Sequence, residues 1–372
     1  MTTPPGQPGP LTWLHIGDLH LKEPDGENRR NLERIVALAA LLSPGSLDFV
    51  LLPGDNADDG TAAQYAMVRD AMAPLHVPVH VLPGDHDMVP GSLAAFHSVL
   101  GARTLPYAET VRGRRCLFLD VVSAGTGGPD FRLGAAQLDW TEREVEEAAS
   151  AGQDVAVFMH TYPADLREGG ERIGALLAKP HVTCVDMGHT HYNELADDGG
   201  TIFMATRSTG QIEEGPAGFS VAALDDGCVS WRFKALEGAW PFVLVTHPAD
   251  VRLTTGRSRG ADQTVVRARV LCDIPLATVT LRADDGPALP MQPVPGQPGL
   301  FQAVLASRPA RVTVQAHDAA GRTDQDGVEP PAGGYVMPRR AADGSDKDAI
   351  EAWPEKGIVG GQLGPNRNGR QW

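Results

Sequence analysis

Five short clusters of aspartate and histidine lie within the first 191 residues, and each directly follows an apolar run. The clusters are Asp18-Leu19-His20, Gly54-Asp55-Asn56, Gly84-Asp85-His86-Asp87, His160 and Gly188-His189-Thr190-His191. Short apolar runs bounded by Gly and Pro are typical of buried strands. Because polar clusters follow several strands, the sequence predicts a sheet in which the ends of these strands meet at one edge.

From residue 11 to about residue 234, strand-like runs alternate with helical patterns. The opening predicts strands at 12–16, 48–52 and 77–82, separated by helices at 28–42 and 61–72. This βαβαβ order predicts a parallel sheet with helices on its faces. Later strands are predicted at 115–122, 154–160, 182–187, 201–205, 219–224 and 228–233, with a helix at 133–149. The turn at 225–227 predicts that the last two strands form an antiparallel hairpin.

The composition changes after residue 238, where helical periodicity gives way to alternating strands at 264–271, 277–283, 300–305 and 311–316. Strands of this kind separated by Gly, Pro and Asp turns predict a small immunoglobulin-like β-sandwich. We therefore predict a flexible lead-in at 1–10, a first domain at 11–238, a sandwich at 239–327 and a Pro/Gly-rich tail at 328–372. In the tail, Trp353, Ile358, Leu363 and Trp372 favour docking over disorder.

Charge and composition exclude several classes of protein. The formal net charge of -15 argues against binding a nucleic-acid polymer through its phosphates. A small anionic substrate fits only where a metal reverses the local field. The four cysteines form no CxxC motif, which predicts free thiols in a reducing cytosol. The N-terminus lacks a signal-peptide pattern and no apolar run approaches the roughly 20 residues that span a bilayer. We therefore expect a cytoplasmic protein without a membrane partner.

The predicted strand ends bring the five clusters to one place. In an open α/β sheet, ligands bind at the carboxyl ends of the strands. Mixed imidazole and carboxylate ligands suit Fe, Mn or Zn better than Ca. Two such cations about 3.5–4 Å apart can generate a bound hydroxide and hold the oxygens of a phosphate during in-line attack. The sequence thus predicts two divalent or mixed-valence metal ions and a phosphoester substrate.

The five motifs, in this order, resemble the calcineurin-like metallophosphoesterase family over about residues 11 to 235, and most closely its bacterial cyclic-nucleotide phosphodiesterase-like branch. The resemblance implies an α/β fold, a two-sheet αββα sandwich. It also implies a first metal held by Asp18, His20, Asp55 and His191, and a second held by Asp55, Asp85, His160 and His189. Asp55 would bridge both metals. His86 would be the catalytic residue that faces the leaving-group oxygen, as general acid or charged donor.

One ligand position departs from the family pattern. Where the family has GNH, this chain has Gly84-Asp85-His86. A third carboxylate would leave two divalent ions a net charge of +1 instead of +2, which should tighten metal binding and weaken Lewis acidity.

Two other branches of the family are disfavoured. The purple acid phosphatase branch is disfavoured because Asp58 occupies the position of its tyrosine ligand. The DNA-repair nuclease branch is disfavoured by the acidic charge and the lack of a basic patch.

Three residues near the motifs are candidates for substrate contact. They are Asn56, Tyr162 and Arg207. Asn56 could equally brace its loop, and Arg207 could equally form a surface ion pair, whereas Asp87 is expected to orient groups around the ligands. The leading hypothesis is hydrolysis of a small phosphodiester, with a cyclic nucleotide as a candidate. The alternatives are a phosphomonoesterase of the same fold and a non-catalytic metal-binding scaffold, and a homo-oligomer is left open.

Overall fold

The computed structural model describes residues 9–124, 130–212, 214–238, 240–256, 264–332 and 348–359 of the 372-residue chain. Its first part contains five helices and eleven strands in these ranges. They are β1 Leu11–His15, α1 Glu27–Ala40, β2 Phe49–Leu52, α2 Ala62–Met72, β3 Val79–Val81, α3 Ala94–Leu100, β4 Tyr107–Val111, β5 Arg114–Phe118, α4 Ala135–Ser150, β6 Val155–Phe158, α5 Gly170–Leu177, β7 Val182–Met187, β8 Glu194–Asp197, β9 Ile202–Ala205, β10 Gly218–Asp225 and β11 Cys228–Ala235.

These strands form two sheets. The first sheet has the order β11-β10-β1-β2-β3, and the second has the order β4-β5-β6-β7-β9-β8. Strands β1, β2 and β3 are parallel, as are β5, β6, β7 and β9. The predicted βαβαβ opening and the β10–β11 hairpin are therefore confirmed. The hairpin turns through Asp226 and Gly227, which both have positive φ, as a tight two-residue turn requires.

The two sheets pack face to face around an aromatic core. The Trp13 ring of the first sheet meets the Phe158 ring of the second edge-on, with centroids 5.6 Å apart. Helices α1 and α2 cover the outer face of the first sheet through residues such as Leu32 and Val68. Helices α4 and α5 cover the second through Val145 and Ile173. This is the predicted αββα sandwich.

The C-terminal part is all β. Its strands are β12 Phe242–His247, β13 Val265–Leu271, β14 Leu276–Ala283, β15 Leu289–Pro290, β16 Gln292–Pro293, β17 Leu300–Val304, β18 Val312–Asp318 and β19 Thr323–Val328. They form two four-stranded sheets, β12-β13-β17-β16 and β15-β14-β18-β19. Alternate residues of both sheets, among them Val245, Val266, Leu281 and Val314, form one shared core. The fold class is thus an αββα sandwich followed by an all-β sandwich.

Several elements lacked a sequence signal. Helices α3 and α5 span only seven and eight residues, and α5 begins in a glycine pair, so both are too short to stand out in the sequence, although Ile173, Leu176 and Leu177 of α5 share one buried face. Strand β8 reads Glu-Leu-Ala-Asp, and its polar residues are buried by neighbours that the local sequence does not reveal. In the tail, Trp353 and Ile358 are buried, whereas Leu363 and Trp372 lie outside the described residues. All four cysteines are free, and three of them are buried, as predicted.

Candidate metal centre

The seven predicted ligands follow the carboxyl ends of parallel strands in both sheets. Asp18 and His20 follow β1, Asp55 follows β2, Asp85 follows β3, His160 follows β6, and His189 and His191 follow β7. Because the sheets are stacked with these ends at one rim, side chains up to 173 residues apart in sequence lie together. The structure brings all seven into one cluster centred on Asp55.

One half of the cluster contains Asp55, Asp85, His160 and His189. Their ligand atoms all lie within 4.8 Å of one another. The Oδ1 atom of Asp85 is 3.2 Å from Nε2 of His160 and 3.3 Å from Nδ1 of His189. Two imidazoles and two carboxylates at this separation form a donor set that Mn, Fe and Zn accept.

The other half contains Asp18, His20 and His191, again around Asp55. Asp18, Asp55 and His191 form one compact group, and His20, Asp55 and His86 form another. The Nε2 atoms of His20 and His191 are 3.0 Å apart. Among the described residues, Asp55 belongs to every group of possible ligands at this rim, so it lies between the two halves of the cluster.

The backbone is strained where it presents these ligands. His20, Asp55, His189 and His191 have φ values of 44°, 50°, 68° and 64°. Non-glycine residues rarely adopt this left-handed conformation, and strain of this kind concentrates at functional sites. The glycines before Asp55 and Asp85 have a steric role. A Cβ on Gly54 would lie 2.1 Å from Nδ1 of His160, and a Cβ on Gly84 would lie 2.1 Å from Oδ1 of Asp55.

The electrostatics of the cluster fit a cationic guest. Burial, together with the charges of Asp85 and Asp18, raises the pKa of Asp55 well above its usual range. Burial opposes ionisation of Asp85, but hydrogen bonds from His160 and His189 outweigh it and lower its pKa. Burial lowers the pKa of His191 to about 4, which keeps that imidazole neutral and able to donate a lone pair.

Two buried ligand atoms also lack an internal partner. Within the described ranges, Oδ2 of Asp18 and Nδ1 of His191 make no hydrogen bond. Buried polar atoms are almost always paired, so such exceptions call for an explanation. A metal ion near Asp18 would satisfy its carboxylate, and the neutral imidazole of His191 beside it fits that ion. The residues present therefore fit the metals that the sequence predicted.

Asp58 is the residue that sequence reasoning missed. Its carbonyl oxygen accepts a hydrogen bond from Nδ1 of His86 at 2.8 Å, and its carboxylate lies 3.5 Å from Nδ1 of His20. Lys22 donates to the same carboxylate at 2.6 Å. Asp58 thus orients two imidazoles at the mouth of the cluster. The signal in the sequence that points to Asp58 is its spacing of three residues from Asp55, which places it beside the cluster.

Asp87 braces the loops from below, as predicted. Its buried carboxylate accepts hydrogen bonds from the backbone N–H groups of Gly84, Asn56 and Ala57 and from Nδ2 of Asn56. It therefore joins the loop after β2 to the loop after β3, so that Asp55 and Asp85 are held relative to each other.

The three predicted substrate residues do not line the site. Asn56 is fully buried and donates to Asp87 and to the Leu82 carbonyl, so it braces the loop. Tyr162 is 1% exposed and packs inward, with its hydroxyl donating to Glu194. Arg207 is also 1% exposed, and its guanidinium donates to the backbone carbonyls of Glu214 and Gly357 instead of facing solvent. Adjacency to a ligand in sequence did not determine the direction of these side chains.

Residues 11–193, which contain every ligand of the Asp/His cluster, match the calcineurin-like phosphoesterase family. The chain therefore carries a calcineurin-like phosphoesterase domain, a hydrolase domain. The chain is 29% identical over 224 residues to the 3′,5′-cyclic adenosine monophosphate phosphodiesterase CpdA of Escherichia coli K12, covering 58% of this chain and 75% of that protein.

Two further relatives and one solved structure are also similar to this chain. A probable cyclic nucleotide phosphodiesterase of Synechococcus is 29% identical, covering 60% of this chain and 90% of that protein. The glycerophosphodiester phosphodiesterase GpdQ of Enterobacter lignolyticus is 26% identical, covering 49% of this chain and 71% of that protein. A dimetal phosphatase from Danio rerio superposes with a TM-score of 0.49 at 18% identity, covering 61% of this chain and 97% of that one. None of the helices in the described ranges has the length and hydrophobicity that crossing a bilayer requires.

Proposed function

We propose that this chain hydrolyses a small phosphodiester with two metal ions, one held by Asp18, His20, Asp55 and His191 and the other by Asp55, Asp85, His160 and His189. The observation that carries the proposal is the position of Asp55, which is shared by the ligand groups on both sides of the cluster. Metal ions bound there would supply an activated water and neutralise charge on the phosphate. Mn, Fe or Zn fits this mixed donor set.

The chain's own residues have two tasks in this reaction. The strained loops hold the ligands at fixed separation, so the phosphate meets a preorganised site. His86 then assists the leaving group. Its Nδ1 carries hydrogen because it donates to the carbonyl of Asp58, so Nε2 is the nitrogen left for the substrate. The side chain of His86 is 34% exposed, whereas His160 is fully buried, which suits a group that meets solvent and substrate.

The substrate class is proposed from the relatives and from charge. Two relatives bear names that specify cyclic nucleotides, and one bears a name that specifies glycerophosphodiesters. Both are small phosphodiesters with a single phosphate. The net charge of -15 disfavours a polymer with many phosphates. We therefore take a 3′,5′-cyclic nucleotide as the first candidate. The free cysteines favour a reducing compartment such as the cytoplasm.

The direct test compares substrates with apo-protein reconstituted separately with Mn, Fe, Zn and Mg. Metal-dependent cleavage of bis-p-nitrophenyl phosphate in preference to p-nitrophenyl phosphate is expected, followed by cleavage of 3′,5′-cyclic AMP. Preference for the monoester would instead support a phosphomonoesterase. If two metals bind but neither ester nor cyclic AMP is cleaved, the proposal is wrong and the non-catalytic scaffold is favoured.

Asp85 allows a separate prediction about the second metal. Asp85→Asn keeps an oxygen ligand beside His160 and His189, so we expect two bound metals and a comparable rate. Asp85→Ala removes that oxygen, so we expect the second metal to be lost. Metal content measured by plasma mass spectrometry on the three proteins checks this. Equal metal content in all three would show that Asp85 is not a ligand.

A further inference from the structure

Residues 348–359, here called the clasp segment, contact both the αββα sandwich and the C-terminal β-sandwich. The segment adds to the edge of the second sheet, where the N–H of Ile350 donates to the carbonyl of Leu195 at 2.8 Å and the N–H of Asp197 donates to that of Asp348 at 2.7 Å. Trp353 and Ile358 are buried in the core between the two sheets of the phosphoesterase fold. The segment is therefore packed into the αββα sandwich as part of its fold.

One contact of the clasp segment reaches the β-sandwich. Nζ of Lys356 lies 2.5 Å from Oδ1 of Asp326 on β19, and both side chains are 2% exposed. The other oxygen of Asp326 accepts the backbone N–H of Val245 on β12 at 2.8 Å. A buried ion pair of this kind is costly to break on one side only. The sandwich thus fixes the position of Lys356.

Gly357, the residue after Lys356, contacts two residues close to the metal ligands. The carbonyl oxygen of Gly357 accepts two hydrogen bonds, from Nδ2 of Asn193 at 2.9 Å and from Nη2 of Arg207 at 3.0 Å. The two donors are also joined to each other, because the N–H of Arg207 donates to Oδ1 of Asn193 at 2.9 Å. Asn193 lies two residues after the ligand His191. One carbonyl of the clasp segment therefore holds two residues that flank the cluster.

Arg207 opens a loop, residues 207–211, that contacts the ligands of the first metal. Oγ of Ser208 donates to the carbonyl of Asp18 at 2.7 Å, and the N–H of Gly210 donates to the same carbonyl at 3.2 Å. Nε2 of Gln211 is 3.2 Å from Nδ1 of His20. No hydrogen bond within the described ranges joins the 207–211 loop to Asp85 or His160. The hydrogen bonds of the loop thus reach three ligands of the first metal, Asp18, His20 and, through the N–H of Ser208, His191.

We propose that the clasp segment positions the ligands of the first metal through Gly357, Asn193 and Arg207, so that docking of the sandwich and tail sets the affinity of that site alone. The inference rests on the proposed two-metal site. Residues behind a metal's ligands typically change metal affinity by about 10- to 100-fold when altered. We expect a loss of this size at the first site and none at the second.

Gly357→Ala is the test variant. Gly357 has a φ of +93°, and an added Cβ would lie 2.6 Å from Cβ of Phe233, so its carbonyl must move. Gly321→Ala is the matched control, because Gly321 has a φ of +80° and nothing within 4 Å of an added Cβ. Both substitutions strain a left-handed residue, but only one displaces the clasp segment. Lys356→Met, which removes the ion pair and keeps the side-chain length, is the second variant.

The readout is Mn²⁺ binding to apo-protein, measured in two backgrounds of the full chain. Asp85→Ala leaves the ligands of the first site, and His191→Ala leaves those of the second. Gly357→Ala should weaken Mn²⁺ binding about 10- to 100-fold in the first background and leave it unchanged in the second. Lys356→Met should act in the same direction, and Gly321→Ala should have no effect. Unchanged binding in both backgrounds, or equal weakening in both, would overturn the inference. A wild-type protein that binds fewer than two Mn²⁺ ions would instead overturn the proposed function.

Discussion

Asp55→Asn is expected to abolish paired metal binding and to lower kcat for diester hydrolysis by more than the about 10²–10³-fold that loss of one electrostatic contact costs. Within the described residues, Asp55 belongs to every group at the rim that could hold an ion, so among the ligands its substitution should affect both metals most directly. The carboxylate can offer one oxygen to each ion, whereas the asparagine amide offers one neutral oxygen. Metal content and kcat measured on the same preparation check the prediction.

The free energy of unfolding of apo Asp55→Asn shows whether a loss of metal and activity comes from the missing carboxylate or from an unfolded protein. Asp18, Asp55 and Asp85 lie together. Burial is the largest cause of the raised pKa of Asp55, and repulsion from the charges of Asp85 and Asp18 raises it further. Neutralising one charge should therefore leave the free energy of unfolding of the apo-protein unchanged or higher. Asp70→Asn, at an exposed carboxylate, is the surface control. Two metals bound to Asp55→Asn, with a rate near that of the wild type, would contradict the bridging role.

His86→Ala is expected to lower kcat by about 10²–10⁴-fold, the range for loss of a positioned acid or base, while both metals stay bound. His86 faces the mouth of the cluster, and its Nδ1 is held by the carbonyl of Asp58. The loss should be larger for a cyclic nucleotide than for bis-p-nitrophenyl phosphate, because p-nitrophenolate leaves without protonation. Parallel kcat measurements with the two substrates check this dependence on the leaving group.

A matched histidine serves as the control for His86. His76 is exposed in the turn after α2 and lies outside the metal-competent groups found in the described residues, so His76→Ala should behave as wild type. The alternative role of His86 is that of a ligand, since it groups with His20 and Asp55. If His86→Ala loses a metal in proportion to its activity, His86 is a ligand and not a leaving-group acid.

The common position of the candidate ligands was predictable because it depends on a local pattern. Each follows an apolar run and a turn, and parallel strands bring their carboxyl ends to one rim. The strand that carries Asp18 and the strand that carries His189 could therefore be assigned to a common site before any contact was known. The αββα sandwich followed from the resemblance to the family, and the all-β second part followed from its alternating strands.

The directions of neighbouring side chains were not predictable in this way. Arg207 and Tyr162 follow strand ends like the ligands do, yet both turn into the interior. Arg207 turns inward because its partner is the carbonyl of Gly357, which lies 150 residues later in the chain. The buried polar strand β8 was missed for a related reason, since the clasp segment that pairs with its edge is distant in sequence. Long-range partners of this kind leave no mark in local periodicity.

The most direct test of a two-metal hydrolase is an activity titration of apo-protein with Mn²⁺, with bis-p-nitrophenyl phosphate as substrate and bound metal measured in parallel. The shared position of Asp55 predicts that hydrolysis stays near background until the first site is filled and rises as the second ion binds. Full activity with one ion bound, or activity independent of metal, would contradict the account.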